Sequence, residues 1–189
     1  MISTRRPAVV ALLATLAFLP PAQAVEYGKL VPERSKVAFA YTQMGVGMEG
    51  GFKVFAAELA FDPARPEAGK AMLSVELASI DTGLDEANAE AAGKDWFDVK
   101  RHPAATFASS RVEALGGEKF AVTGTFTLKG RSREITVPVT YRQEAGQGVF
   151  EGSLDLLRND YGIGAGPWAA VDVVADEVAV TFSLVFDAR

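Results

Sequence analysis

Between residues 120 and 139 the chain reads FAVTGTFTLKGRSREITVPV, and its side chains alternate. Phe120, Val122, Phe126 and Leu128 share one parity; beyond Lys129-Gly130, Ile135, Val137 and Val139 share another. Ala121, Thr123, Thr125, Thr127, Thr136 and Thr140 occupy the positions between. Successive strand residues point to opposite faces, so this is a pair of strands with one apolar face. Similar patterns recur at 36–43, 51–61, 71–80, 105–115, 148–157 and 176–186. Asp62-Pro63, Gly116-Gly117, Lys129-Gly130 and Gly146-Gln147-Gly148 supply turn residues between them. The pattern predicts eight antiparallel strands in one all-β domain.

One stretch departs from the alternation. TGLDEANAEAAG (82–93) has Thr82 and Asp85 at capping-box spacing, alanines that favour helix, and Gly93 as a stop. Its apolar side, Leu84, Ala87 and Ala91, is thin, which suits a short surface lid better than a central core helix. Eight strands of this kind close into a barrel or stack as a sandwich. A barrel of eight has room for one small ligand, whereas a sandwich fills its interior with its own side chains. Alternation alone leaves both open.

The first residues carry a different signal. MISTRRPAVVALLATLAFLPPAQA has a basic start at Arg5 and Arg6, an apolar run from Ala8 to Leu19, and Ala22-Gln23-Ala24 as a small-x-small cleavage site. This predicts a secretory signal peptide over 1–24, removed to leave a single domain over 25–189 and a periplasmic protein. The run is too short for a membrane span, which needs about 20 apolar residues.

Composition narrows the chemistry. Removing Arg5 and Arg6 takes the net charge from −5 to −7, so no nucleic-acid partner is expected. The chain has no cysteine and one histidine, His102, which excludes disulfides and leaves too few ligands for zinc or iron-sulfur sites. No cofactor or metal is expected. Gly45, Gly47 and Gly50 in GVGMEG match the spacing of a dinucleotide-binding loop, but a strand pattern follows where that loop needs a helix. There is no G-x-S-x-G elbow, and His102 precedes Pro103 as a turn residue would. The carboxylates at Asp81, Asp85, Asp95 and Asp98 read as solvated surface groups.

Twelve Phe, four Tyr and two Trp form a bulky apolar inventory. Trp96-Phe97 lies beside the helical stretch and Trp168 lies in the glycine-rich YGIGAGPWAA. As a set flanking loops and a lid, these residues suit the mouth of an apolar cavity.

Five phrases, FDP (61–63), SIDTG (79–83), DWFDVKRHPAATF (95–107), VTGTFTLKGRSREITVPV (122–139) and LRNDYGIG (157–164), stand in the order and spacing of the YceI-like proteins. The chain resembles that family from about Val37 to Phe186. The resemblance implies an extended, lipocalin-like antiparallel barrel in the periplasm, with a long isoprenoid or acyl lipid in its lumen and the helical segment near the cavity mouth. It departs from the family in two places. Gln43 stands where members often carry His, and LDEANAE (84–90) replaces an Arg-Asp-x-His-Leu-like stretch. Both departures remove basic or titratable groups, which implies a neutral or quinone-type head in preference to a pyrophosphate.

The predicted site follows from pattern and resemblance together. Phe39, Tyr41, Phe126, Leu128, Val137, Val139, Val180, Phe182 and Leu184 are expected to point inward, with Phe97 beside the lid. The stretch 157–168 is expected to border the mouth, Arg158 and Asp160 making polar contacts and Trp168 packing on the lipid tail. An internal Arg158–Asp160 interaction that fixes the loop is the competing expectation. The functional expectation is a binding or carrier protein and not an enzyme; an enzyme for a small apolar substrate and a ligand-free structural domain are the alternatives. A transient membrane or membrane-protein contact and a homodimer stay open.

Overall fold

The computed structural model describes residues 26–188; the expected signal peptide lies outside the described residues. The described residues form eleven strand segments: β1 (Tyr27–Leu30), β2 (Lys36–Gln43), β3 (Val46–Phe52), β4 (Phe55–Phe61), β5 (Lys70–Glu76), β6 (Ile80–Asp81), β7 (Ala104–Gly116), β8 (Lys119–Leu128), β9 (Arg131–Glu144), β10 (Gln147–Leu157) and β11 (Val174–Ala188). One helix, α1 (Asp85–Ala92), separates β6 from β7.

The segments make a closed barrel of eight antiparallel strands. β1, β4, β5, β7, β8, β9, β10 and β11 are neighbours in that order, and β1 pairs back onto β11 to complete the ring. Closure leaves the ring no unpaired edge. β11 is long enough to hold two partners. It pairs with β1 around Leu30↔Phe186, and with β2 from Lys36↔Ser183 to Gln43↔Val174. β2 in turn pairs with β3, and β3 with β6, so the wall extends beyond the ring on that side.

Two expected strands are broken and a third is bulged, in ways that alternation conceals. The stretch 51–61 divides at Lys53-Val54, and 71–80 divides at a 3-10 turn over Leu77–Ser79. The two breaks face each other. Val54 N–H donates to Ser79 Oγ (3.0 Å), Lys53 N–H to Ser79 O (3.1 Å) and Glu76 N–H to Val54 O (3.0 Å). Each break shifts the parity of inward residues: Phe52 faces in before the first, whereas Ala57, Leu59 and Phe61 face in after it. A bulge between Ser109 and Arg111 does the same in β7, where Phe107 and then Val112 face inward.

Met44-Gly45, Lys129-Gly130 and Ala145-Gly146 are two-residue connections with positive φ at both positions, the backbone that matches the strand twist in tight hairpins. Of GVGMEG, only Gly45 belongs to a turn, and Gly47 and Gly50 lie within β3. Gly50 lies against Phe39, whose ring atom would be 2.4 Å from an added Cβ; Gly152 is related in the same way to Phe182 at 2.5 Å.

The two barrel ends are packed differently. Tyr27, Phe61, Phe120, Tyr141, Phe150 and Phe186 belong to one buried cluster with edge-to-face contacts such as Phe61–Phe150 (5.3 Å) and a Tyr27–Tyr141 hydroxyl bond (2.9 Å). The β10–β11 register runs from Gln147↔Asp187 to Leu157↔Glu177, so this cluster lies at the Gln147 end and the Arg158 loop at the other. α1 belongs to the Arg158 end.

Candidate functional site

The barrel encloses a cavity of about 600 Å³. Its wall is almost wholly aliphatic and aromatic. Phe39 and Tyr41 of β2, Phe126 and Leu128 of β8, Val137 and Val139 of β9, and Val180, Phe182 and Leu184 of β11 all line it, as does Phe97. The alternation puts these side chains inside because the opposite face carries Thr and Ser, which keep water contact or pair with each other, as Thr123 and Thr136 do at 2.8 Å. Leu73 and Val75 of β5, Phe107 of β7 and Tyr161 also line the cavity and were not among the expected site residues. The β5 and β7 residues carry the same alternation and were legible by it; Tyr161 lies in a loop and was not.

At the α1 end the cavity is bordered by Gln43, Thr82, Glu86, Ala87, Glu90 and Ala91. The helix begins later than the capping-box spacing predicts. Leu84 occupies the N-cap position, without a side-chain cap, and is 55% exposed. Thr82 instead meets Asn88 Oδ1 through both its backbone N–H (2.8 Å) and its hydroxyl (2.8 Å), joining the approach to the helix to the helix body. The face turned to the cavity is the alanine face, with two glutamates beside it.

The 158–168 stretch borders the same end of the cavity through Arg158, Tyr161, Ile163 and Trp168, and its polar residues act within the protein. Arg158 is 3% exposed. Its Nε donates to Ala175 O (3.0 Å), Nη1 to Ile163 O (2.9 Å) and Gly164 O (3.2 Å), and Nη2 to Trp168 O (2.9 Å), Ala170 O (3.4 Å) and Val174 O (2.7 Å). A guanidinium has five N–H donors, so this cage, completed by Asn159 Oδ1 (3.4 Å), engages all of it. Burial pulls its pKa below the usual arginine value. Asp160 is not part of the cavity wall and does not pair with Arg158; its carboxylate faces Arg133 at 3.2 Å. The expected polar contacts of Arg158 and Asp160 are thereby redirected: Arg158 shapes the loop from inside by satisfying backbone carbonyls, and Asp160 lies on its outer side.

Trp168 does line the cavity. Its ring centroid is 5.7 Å from that of Trp96, and its Nε1 donates to Glu90 Oε1 at 2.8 Å, tying the loop to α1. Lys129 ties the same region from the barrel side through bonds to Gly162 O (2.7 Å) and Lys94 O (3.0 Å), and desolvation lowers its pKa. Burial likewise raises the pKa values of Tyr41 and Tyr161, keeping both neutral in the wall. Among the described residues no group of three or more His, Cys, Asp or Glu side chains is placed to hold a metal.

An aromatic-lined eight-stranded barrel with a helix at one end agrees with the comparison across known families, where the YceI-like domain model matches residues 29–186. The chain belongs to the YceI-like family. Solved structures similar to this chain include BcnA of Burkholderia cenocepacia, 43% identical with a TM-score of 0.81 and covering 83% of this chain and 99% of that one. A polyisoprenoid-binding domain from Saccharophagus degradans, 22% identical, shares the fold at a TM-score of 0.67 over 88% of this chain and all of its own. Among curated relatives, a UPF0312 protein of Pseudomonas savastanoi pv. phaseolicola is 30% identical over 86% of this chain and 90% of its own length.

Proposed function

We propose that this YceI-like protein is a periplasmic carrier that holds a long-chain isoprenoid, quinone-type or acyl lipid in its barrel, after removal of residues 1–24. The observation that carries the reading is the cavity of about 600 Å³ with its aliphatic and aromatic wall, packed shut with aromatic rings at one end and bordered by α1 and the Arg158 loop at the other. Volumes of roughly 300 to 1,000 Å³ are typical of ligand sites. The polyisoprenoid-binding description of the Saccharophagus neighbour supports the ligand class.

The energetics suit a carrier. Burying about 16 methylenes at roughly 0.8 kcal/mol each gives on the order of 13 kcal/mol gross. Association and ordering cost an estimated 4 to 15 kcal/mol. Net affinity is then modest and depends on chain length, so a lipid is held and also released.

Native mass spectrometry of the protein purified from its own compartment tests the reading. A co-purifying prenyl or acyl species, with residues 1–24 absent from the measured mass, is the expected result. Turnover of an added lipid moves the assignment to an enzyme, and a consistently empty chain that takes up no added lipid overturns the carrier.

A further inference from the structure

Two positions at the α1 end carry apolar side chains where the local backbone favours other residues. Met44 opens the two-residue turn between β2 and β3 with a φ of 50°, a left-handed conformation that Asn, Asp and Gly adopt at least cost. It is 75% exposed. Leu84 holds the N-cap of α1, where Ser, Thr, Asp or Asn would accept from a free backbone N–H, and it too is exposed. Neither side chain lines the cavity or joins a buried cluster, so core packing does not account for them.

Both stand beside a third apolar segment. Met44 N–H donates to Val173 O at 2.8 Å, joining the hairpin to the loop that follows Gly164. In that loop Ala165, Pro167, Ala169 and Ala170 are exposed, and Val171 is 56% exposed. Val46, opposite Gln43 at the start of β3, is exposed as well. β6 lies antiparallel to β3 through Phe52↔Ile80 and Gly51↔Asp81, so the chain beyond Asp81 heads toward the hairpin, with Leu84 next in its path. Gln43, Glu86 and Trp168, from the same three elements, line the cavity, which makes this apolar fringe a border of its mouth.

The charges determine what such a fringe meets. Between Gln43 and Phe52, and between Tyr161 and Asp176, the chain has no Lys or Arg. The exposed charges on these segments and the start of α1 are Glu49, Asp85, Glu86 and Asp172, which an anionic surface would repel. Protein-binding patches centre on Trp, Tyr and Arg anchors. Here the one large aromatic, Trp168, is half-buried and its Nε1 is taken by Glu90. Met, Val, Leu and Ala side chains around a lipid cavity suit insertion at the headgroup boundary of a bilayer. A tail crossing open water between bilayer and barrel would forfeit its burial on the way, and a mouth seated on the bilayer avoids that.

Resting on the carrier reading, we propose that the β2–β3 hairpin, the 165–171 loop and the start of α1 form a docking rim that seats the cavity mouth on a zwitterionic bilayer surface of no net charge. Met44, Val46, Leu84 and Val171 are its inserting side chains. They hold the protein to the bilayer and take no part in holding the lipid inside the barrel.

Cosedimentation with phosphatidylcholine vesicles tests the rim, on protein purified from its own compartment and on a Met44→Asn, Leu84→Ser, Val171→Ser triple variant. The first two changes supply residues that the turn and the cap favour, so the fold is expected to hold. The wild type is expected to bind these vesicles with little dependence on salt, and to bind equal mixtures of phosphatidylcholine and phosphatidylglycerol more weakly. The triple variant is expected to bind at least about tenfold more weakly than the wild type. Leu115→Ser, which removes an exposed apolar side chain at the opposite end of the barrel, is expected to bind as the wild type does. Uptake of the neutral dye N-phenyl-1-naphthylamine is expected to be the same in all three, because none of the substituted residues lines the cavity. A wild type that takes up dye but ignores phosphatidylcholine vesicles, or a triple variant that binds them undiminished, overturns the rim while the carrier reading stands. Binding to native membrane vesicles and not to protein-free ones assigns the patch to a membrane protein, and self-association lost in the triple variant, without vesicle binding, assigns it to a second copy; either overturns the proposal. A wild type that takes up neither dye nor added lipid overturns both readings. Should the triple variant fail to fold, Leu84→Ser alone decides: a loss of about threefold is expected, and no loss overturns the rim.

Discussion

Trp168 Nε1 and Glu90 Oε1 meet at 2.8 Å across 78 positions of sequence, joining the Arg158 loop to α1 over one end of the cavity. The helix has no side-chain cap and no buried residue, so this bond, the two Thr82–Asn88 bonds and the alanine face hold it in place. Replacing Trp168 by Ala is expected to weaken lipid retention by about 1 to 3 kcal/mol, the transfer energy of a large apolar side chain. Glu90→Ala removes only the bond and is expected to cost about 0.5 to 1.5 kcal/mol. Dissociation rates of a fluorescent lipid measure both; unchanged rates with the fold intact by circular dichroism remove the latch from the release pathway.

Arg158 predicts a stability effect instead of a binding effect. Arg158→Ala leaves the carbonyls of residues 163, 164, 168, 170, 174 and 175 without their donor in a buried loop, and a loss on the order of 3 kcal/mol is expected in urea unfolding. Arg158→Lys keeps the charge but not the planar fork, and is expected to recover less than half of that loss. Full recovery by lysine would show that charge, not the carbonyl cage, is what the loop needs.

Cavity length is open to change from the wall. Val180 faces inward and lies opposite Phe39 on β2 and Leu154 on β10. Val180→Trp is expected to cost about 1 to 3 kcal/mol through overpacking and to shift co-purified lipid toward shorter chains. Extraction and mass spectrometry of the bound lipid read the shift; an unchanged chain-length distribution would place the tail elsewhere.

Alkaline pH is expected to destabilise the barrel through its tyrosines. Burial raises the folded-state pKa of Tyr41, Tyr141 and Tyr161, and for Tyr141 the bond to Tyr27 raises it further. A group whose folded pKa exceeds its unfolded value stabilises fully below the unfolded value, near 10 for tyrosine, and loses that contribution as pH rises toward the folded value. Unfolding free energy is therefore expected to hold up to about pH 10 and fall above it. Tyr141→Phe is expected to cost about 1 kcal/mol near neutrality, by stranding the Tyr27 hydroxyl, and to make the fall above pH 10 shallower. An equally steep fall in the variant would assign the alkaline loss to other groups.

Alternation along the chain was enough to determine the all-β class, seven of the eight ring strands and the inward face of β2, β8, β9 and β11; it counted β2, which lies outside the ring, and missed the short β1. A two-residue period is a property of single strands, so Phe126, Val137 and Phe182 declare their side without reference to any partner. The aromatic and aliphatic inventory likewise announced an apolar interior. What alternation does not carry is information about the places where a strand slips by one residue. The breaks at Lys53-Val54 and Leu77–Ser79 and the bulge at Ser109–Arg111 reverse the parity, and each exists because of pairing with a distant segment. Alternation left barrel and sandwich open; the family phrases implied the barrel, and the β1–β11 pairing between the first and last described strands is what closes it. The tertiary structure alone decided the roles of the charged and polar groups at the mouth. Arg158 and Asp160 are two positions apart in sequence, yet one is caged by carbonyls and the other faces Arg133, and Trp96 is left without an acceptor while Trp168 finds one. A hydrogen bond depends on where two backbones arrive in space, and local sequence spacing does not encode that arrival.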